Sequence, residues 1–436
     1  MKTNHSLLFF TLISLLFWGN VLMSQPGTEV PSFIYGDALP DAPELAVRGE
    51  YQVGVQTLKL INPDQLDIAK VKDGTTSTYD RPLTVDVWYP ANIPDGKEEK
   101  TEYKDVLGRP NNEERPQIPF TFSGRALRNA EPDDSDEAFP LIIVSHGYPG
   151  SRYLMTYLTE NLASKGYVVV AIDHTESTHQ DAGPFPSTLM NRPLDVLFVL
   201  DEMAKLGVKK SDSFLSGLLD ADNTALIGYS MGGYGVLNVA GAGYSEQLAT
   251  TFDRMTGGST AIQARTTGSP ALVASPDKRI KAVVAFAPWG MARGVWDDEG
   301  LAGLRIPTFF VAGDQDDVSG YEDGIKAIYE GAINTERYML TYVNARHNVA
   351  PNPPPVSILT SEKHHDDFMH YAEPAWDLRR MNNINQHFVT AFLGIRLKGL
   401  DYGHYLELPE KSNGETWEGF KPRTSVGLEL RNAGGE

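Results

Sequence analysis

The chain has 436 residues, 38 of them basic and 57 acidic, a net charge of −19 and no cysteine. This length accommodates one large α/β domain with insertions as well as two or three smaller domains, and buries a sizeable core unaided. The carboxylate surplus repels phosphate backbones and anionic lipid, which argues against nucleic acid or membrane as main partner and favours a neutral or cationic substrate. Without cysteine there is no disulfide, thiolate metal site or lipid-bearing thiol, so stability comes from packing.

The chain begins "MKTNHSLLFFTLISLLFWGNVLMSQ", one lysine followed by an apolar run from Leu7 to Phe17 and then smaller residues. This is the layout of a signal peptide over residues 1–24 cut after Ser24, and it predicts a secreted or periplasmic protein with no membrane attachment after cleavage. An uncleaved anchor is the alternative, although the run is short for a membrane span. Residues 25–49, rich in proline and acid, read as an irregular lead-in.

"YQVGVQTLKLI" and "RPLTVDVWYPA" read as strands, the second setting Leu83, Val85, Val87 and Tyr89 against Thr84, Asp86 and Trp88. Residues 92–137 turn polar and proline-containing and read as a long excursion without chemistry. "FPLIIVSHGYPG" then starts a strand buried on both faces, followed by a helix in "RYLMTYLTENLASKG", a strand in "YVVVAIDH" and a helix in "RPLDVLFVLDEMAKLG". "TALIGYS" is the next strand and "MGGYGVLNVAG" the next helix. The alternation predicts an α/β fold, a mostly parallel central sheet with helices on both faces.

Residues 242–279, rich in glycine, serine and threonine, interrupt that alternation as a surface insertion or part of a lid. Strands resume in "IKAVVAFAPW", "IPTFFVAGDQDD" and "RYMLTYVNARHN". A long amphipathic helix follows, with Met381, Ile384, Phe388, Phe392 and Ile395 at helical intervals. The expected domain spans residues 50–400, with 401–436 as a C-terminal extension.

Gly228, Tyr229, Ser230, Met231 and Gly232 match G-x-S-x-G between a strand and a helix, the context of a strained turn that presents a serine hydroxyl. A small-residue turn is the bland alternative. A serine nucleophile needs an imidazole base and an orienting carboxylate, in the chain order serine, acid, histidine. Of the histidines after Ser230, only His347 lies in a loop directly after a predicted core strand; His387 falls within the amphipathic helix and reads as packed or surface-facing. "VAGDQDDV" offers three acids, Asp314, Asp316 and Asp317, of which at least two merely solvate the loop. The two oxyanion donors required are expected to be the backbone N–H groups of Met231 and Tyr148, the latter in "SHGYPGS", where His146 reads as a turn residue.

"GYSMGG", "SHGYPGSRY", "AIDHTEST", "NRPLDVLFVLDEM" and "ARHNVAP" together resemble α/β-hydrolases grouped as predicted dienelactone hydrolases, with relatives among platelet-activating factor acetylhydrolases and cutinase-like polyester hydrolases. The resemblance implies the α/β-hydrolase fold and a Ser-His-Asp esterase acting through an acyl-enzyme. The acetylhydrolase branch has its acid after the preceding strand, where this chain reads "AFAPWGM" with no acid; the other branches place it one strand later, at Asp316. The same "APW" is similar to the polyester-hydrolase pattern in which a tryptophan, here Trp289, lines the acyl site. A true dienelactone hydrolase uses a cysteine nucleophile, which this chain lacks.

The implied substrate is a small-molecule or polymeric ester of short to medium acyl chain, with no cofactor and no metal. Amide or peptide cleavage by the same triad, and a non-catalytic relative of the fold, are the competing readings. "HHDDFMH", residues 364–370, brings imidazoles and carboxylates close enough to raise a metal site as an alternative.

Overall fold

The computed structural model describes residues 33–435, apart from 72–75, 136, 274–275 and 360–361; the expected signal segment lies outside them. Residues 34–436 form one compact unit.

The first strands are β1 (Gln52–Leu66), β2 (Thr78–Asn92), β3 (Thr101–Leu107), β4 (Ile118–Gly124), β5 (Leu127–Arg128), β6 (Glu131–Pro132), β7 (Phe139–Ser145) and β8 (Val168–Asp173). They are followed by β9 (Leu219–Tyr229), β10 (Ile280–Phe286), β11 (Thr308–Gly313), β12 (Arg337–Tyr342) and β13 (Leu428–Ala433). The central sheet runs β13-β12-β11-β10-β9-β7-β8-β2-β1-β5. From β8 to β12 every neighbouring pair is parallel, while β2 joins β8, and β13 joins β12, antiparallel.

The helices are α1 (Thr156–Ala163), α2 (Phe185–Leu206), α3 (Met231–Val239), α4 (Glu246–Thr256), α5 (Pro270–Val273), α6 (Asp298–Leu301), α7 (Ala327–Gly331), α8 (His365–Met369) and α9 (Leu378–Lys398). Each face of the sheet carries its own apolar core. In β2 the expected alternation holds, but it sorts residues between two interiors: Leu83, Val85, Val87 and Tyr89 enter one core and Trp88 the other. Asp86 is also fully buried, paired with Arg152 and Arg128.

Three segments are more ordered than composition suggested. Residues 92–137 contain the β3–β4 hairpin, whose Tyr103 hydroxyl donates to Glu160 at 2.6 Å. The turn of that hairpin reaches α8 and the loop before α2, through Arg115 to Asp367 at 2.5 Å and Gln117 to the His179 carbonyl at 2.8 Å. The glycine-rich insertion is partly helical, with Leu248, Phe252 and Ile262 in the core beside α2 and α3. The C-terminal residues supply the edge strand β13 and are part of the sheet, not an appendage to it.

The lead-in is likewise tied down, by buried polar side chains of α9. Asn383 accepts the Leu39 N–H at 2.9 Å, Gln386 donates to the Gly36 carbonyl at 3.1 Å, and His387 Nδ1 accepts the Leu45 N–H at 3.1 Å. Asn385 donates to the Val349 carbonyl at 2.7 Å and accepts from the Tyr342 hydroxyl at 2.8 Å, so α9 also fixes the loop after β12.

Candidate active site

Ser230 sits between β9 and α3 with φ +53° and ψ −113°, a backbone region costly for any residue with a side chain. The flanking glycines are required by contact: a β-carbon at Gly228 would collide with the Gly232 carbonyl, and one at Gly232 with that of Ser145. Close packing of β9 on α3 therefore holds the turn in its strained form.

The loop after β12 carries His347 and the turn after β11 carries Asp316, at the same edge of the sheet as Ser230. His347 Nε2 lies 3.0 Å from Ser230 Oγ, and His347 Nδ1 lies 2.8 Å from Asp316 Oδ2. The tautomer satisfying both contacts carries its proton on Nδ1 and accepts from the serine hydroxyl. Burial pushes the Asp316 carboxyl up, but the His347 ring and the N–H groups of Ser319 and Val318 outweigh it and hold it below the ordinary carboxylate range. The other two acids are engaged elsewhere: Asp314 accepts the Asn344 N–H at 2.7 Å, and exposed Asp317 pairs with Arg346.

The histidine loop is pinned to the nucleophile turn. The Tyr229 ring lies 5.3 Å from the His347 ring, and its hydroxyl donates to Asn348 Oδ1 at 3.0 Å. Asn348 in turn donates to the carbonyls of Met369 and Ala372 at 2.8 and 2.7 Å.

Met231 opens α3 and Tyr148 lies in the loop after β7. Neither backbone N–H has a protein acceptor among the described residues. Half-buried Tyr148, Phe185 and Trp289 form an aromatic wall, with ring centroids 5.7 Å apart for the first pair and 5.5 Å for the second. The Trp289 backbone N–H donates to the Ser230 carbonyl at 3.1 Å, which sets this wall against the nucleophile turn. On the other side, a cavity of about 290 Å³ opens beside His347, lined in part by Arg346, Asp366 and Met369.

Beneath the Tyr148 loop lies a second serine, histidine and aspartate in line. Ser145 Oγ is 2.8 Å from His174 Nε2, and His174 Nδ1 is 2.9 Å from Asp195 Oδ2. Asp195 also takes a forked pair from Arg81, at 2.8 and 3.0 Å, which outweighs its burial and keeps the carboxyl low. Burial drives the His174 imidazole down to about 4. Sequence reasoning missed this array, yet one signal was present: Arg192 and Asp195 stand three apart on the inward face of α2, among Leu189, Val196, Val199 and Met203. Two charges on the buried face of a helix require buried partners.

Within residues 364–370, Asp367 pairs with Arg115, and His370 Nε2 lies 2.9 Å from the Pro149 carbonyl. No cluster of three or more metal-ligating side chains occurs among the described residues.

Residues 128–251, which include Tyr148, Ser230 and Met231, match the PETase family model, described as PET hydrolase-like. The cutinase est1 of Thermobifida alba is 24% identical over 218 residues, covering 50% of this chain and 56% of that protein. The cutinase cut1 of Thermobifida fusca is 21% identical over 219 residues, covering 50% and 52%. The chain therefore spans only about half the length of the cutinases it matches. A ferulic acid esterase from Streptomyces cinnamoneus superposes with a TM-score of 0.53 at 20% identity, covering 82% of this chain and 94% of that one. The resemblance to dienelactone hydrolases and acetylhydrolases rests on the sequence motifs alone. The chain has the α/β-hydrolase fold; residues 128–251, which carry Ser230, are similar to PET hydrolase-like proteins, and about half of the chain is similar to cutinases.

Proposed function

We propose that the protein is a serine carboxylic ester hydrolase working through an acyl-enzyme. The observation that carries this reading is the line Ser230–His347–Asp316, at 3.0 and 2.8 Å, beside two unengaged backbone N–H groups. His347 takes the proton as Ser230 Oγ attacks the ester carbonyl, and Asp316 stabilises the imidazolium that forms. The N–H groups of Tyr148 and Met231 receive the oxyanion. His347 then returns the proton to the leaving alcohol, and activates the water that releases the acid.

The aromatic wall of Tyr148, Phe185 and Trp289 supports an apolar acyl site, for short to medium acyl esters or polyester segments. The apolar run near the N-terminus supports export with a cleaved signal; among the described residues no helix is long and apolar enough to cross a membrane. N-terminal sequencing of protein from the native host tests export: a start near Gln25 is expected, and an intact Met1 in a membrane fraction refutes cleavage.

The function itself is tested with a fluorophosphonate and a panel of p-nitrophenyl esters beside matching anilides. One adduct on the peptide containing Ser230 and faster turnover of esters are expected. An adduct on another serine refutes the assignment, and comparable rates on anilides point to amide cleavage.

A further inference from the structure

Arg192 is 1% exposed and has no carboxylate within ion-pair distance among the described residues, because Asp195, three positions on, is already forked to Arg81. Its Nε has no partner. Burial pulls the guanidinium down to about 9, which still leaves it charged at neutral pH. A buried cation without a counter-ion is destabilising relative to an apolar residue of similar size, so its presence calls for a reason other than stability.

Its remaining donors converge on residues 145–147, at the end of β7, and on Ser177 in the loop after β8. They reach the carbonyl of His146, the carbonyl of Gly147 at 2.9 Å, Ser145 Oγ at 3.2 Å and Ser177 Oγ at 3.1 Å. His146 Nδ1 lies 2.6 Å from the same Gly147 carbonyl, and its Nε2 accepts the His174 N–H at 3.3 Å, so the proton is on Nδ1 and is donated to Gly147. The Gly147 carbonyl and the Tyr148 N–H belong to one planar peptide, in which they point in opposite directions. A carbonyl that accepts from a cation on one side leaves its N–H a stronger, fixed donor on the other.

We infer that Arg192 is a positioning residue for oxyanion stabilisation: with His146 it clamps and polarises the Gly147–Tyr148 peptide, so that the Tyr148 N–H is aimed and strengthened before the ester arrives. This rests on the esterase reading above, and adds to it a buried cation that never touches substrate.

The test uses Arg192→Gln and Arg192→Lys, each normalised to the sites that react with fluorophosphonate. Arg192→Gln is expected to lower kcat about 10- to 100-fold with KM within about threefold, as for weakening one preorganised donor. Affinity for an aryl trifluoromethyl ketone, whose adduct with Ser230 bears an oxyanion, should fall by the same factor, while inhibition by the corresponding carboxylic acid stays unchanged. Arg192→Lys should recover part of the loss, since it keeps the charge and loses the fork. The inference is overturned if kcat and ketone affinity per reactive site stay within twofold of wild type in folded Arg192→Gln, or if Arg192→Lys recovers nothing relative to it. It is overturned equally if neither variant folds, because the guanidinium would then be supporting the fold and not tuning a formed site. Absence of label on Ser230 in the wild-type protein is a different result, the failure of the esterase reading.

Discussion

Two Ser-His-Asp arrays lie at the same end of the sheet, with nearly equal spacings: 3.0 and 2.8 Å in Ser230–His347–Asp316, 2.8 and 2.9 Å in Ser145–His174–Asp195. Their surroundings differ. Ser230 is 7% exposed on a strained turn with unengaged N–H groups beside it, whereas Ser145 is 0% exposed at a strand end and takes a hydrogen bond from Arg192. Asp316 is held by backbone N–H groups and the imidazole, with no cation within ion-pair distance among the described residues; Asp195 is neutralised by Arg81. A buried acid already paired to arginine has little left to stabilise an imidazolium, and a serine sealed from substrate has nothing to attack. The constellation alone does not define an active site; access, strain and unoccupied donors do.

The sharpest way to break this contrast is to exchange the serines for alanine. Ser230→Ala is expected to lose about 10⁴- to 10⁶-fold in kcat with an unchanged melting temperature. Ser145→Ala should keep kcat within about tenfold and lose about 1–3 kcal/mol of stability, because it strands donors of Arg192 and a contact of His174. If the Ser145 variant is the inactive one, the roles have been reversed.

At the level of the acids, Asp316→Asn should favour the wrong imidazole tautomer and cut kcat about 10⁴-fold while the thermal melt stays cooperative. Asp314→Asn and Asp317→Asn should stay within about tenfold, since one holds a backbone N–H and the other an exposed arginine. Full activity in Asp316→Asn, with loss in a neighbour, would move the triad acid to that neighbour.

Asp195→Asn should show the opposite split: stability falls, by up to about 3–5 kcal/mol, because buried Arg81 loses its forked partner and keeps only Glu176 at 3.5 Å. Urea unfolding followed by fluorescence measures this, and kcat per fluorophosphonate-reactive site should remain within about tenfold. A stable but inactive Asp195→Asn would contradict the division of labour.

The smallest effect is on pH dependence. Burial holds His146 well below the usual imidazole range, His174 and His370 down to about 4, and His179 and His387 down to about 3. The unfolded chain therefore binds more protons than the folded one below about pH 6.5, so this contribution is complete above that pH and is lost as pH falls toward 4. Asp105 and Glu160, raised to about 7 by burial, act oppositely and cost stability as pH rises from about 4 to 7. Burial also lifts Glu99, Asp173 and Glu373, so five lowered imidazoles face five raised carboxyls, the two sets offset in part, and only a small net loss is expected on the acid side, of about 5 °C in melting temperature between pH 7.5 and 4.5. A gain on the acid side would show that the imidazoles are not sealed.

Much of this was legible in the sequence because it is local. The serine turn is a contiguous pentapeptide between a strand and a helix, His347 follows a predicted core strand, and the spacing "VAGDQDDV" limits the acid to three candidates. The Ser145 array was not legible, because its partners come from β2, β7, the loop after β8 and α2, and Arg81 meets Asp195 across 114 positions. The β3–β4 hairpin was hidden by composition: Tyr103 and Phe120 pack inward, but the charges and prolines around them dominate any averaged window. The edge strand β13 was missed for the converse reason, since six residues of mixed polarity read as an ordinary tail.

The stitching of α9 to the lead-in bears on how this protein should be produced. A gene shortened to start at residue 50, where the first obvious strand invites a cut, would remove the Leu39, Gly36 and Leu45 backbone groups that Asn383, Gln386 and His387 engage. Those side chains belong to a helix buried over nearly its whole length and linked through Asn385 to the His347 loop. Insoluble material or weak turnover from such a clone would then reflect a missing seam rather than a poor enzyme, and a start at about residue 33 is the shorter form to express.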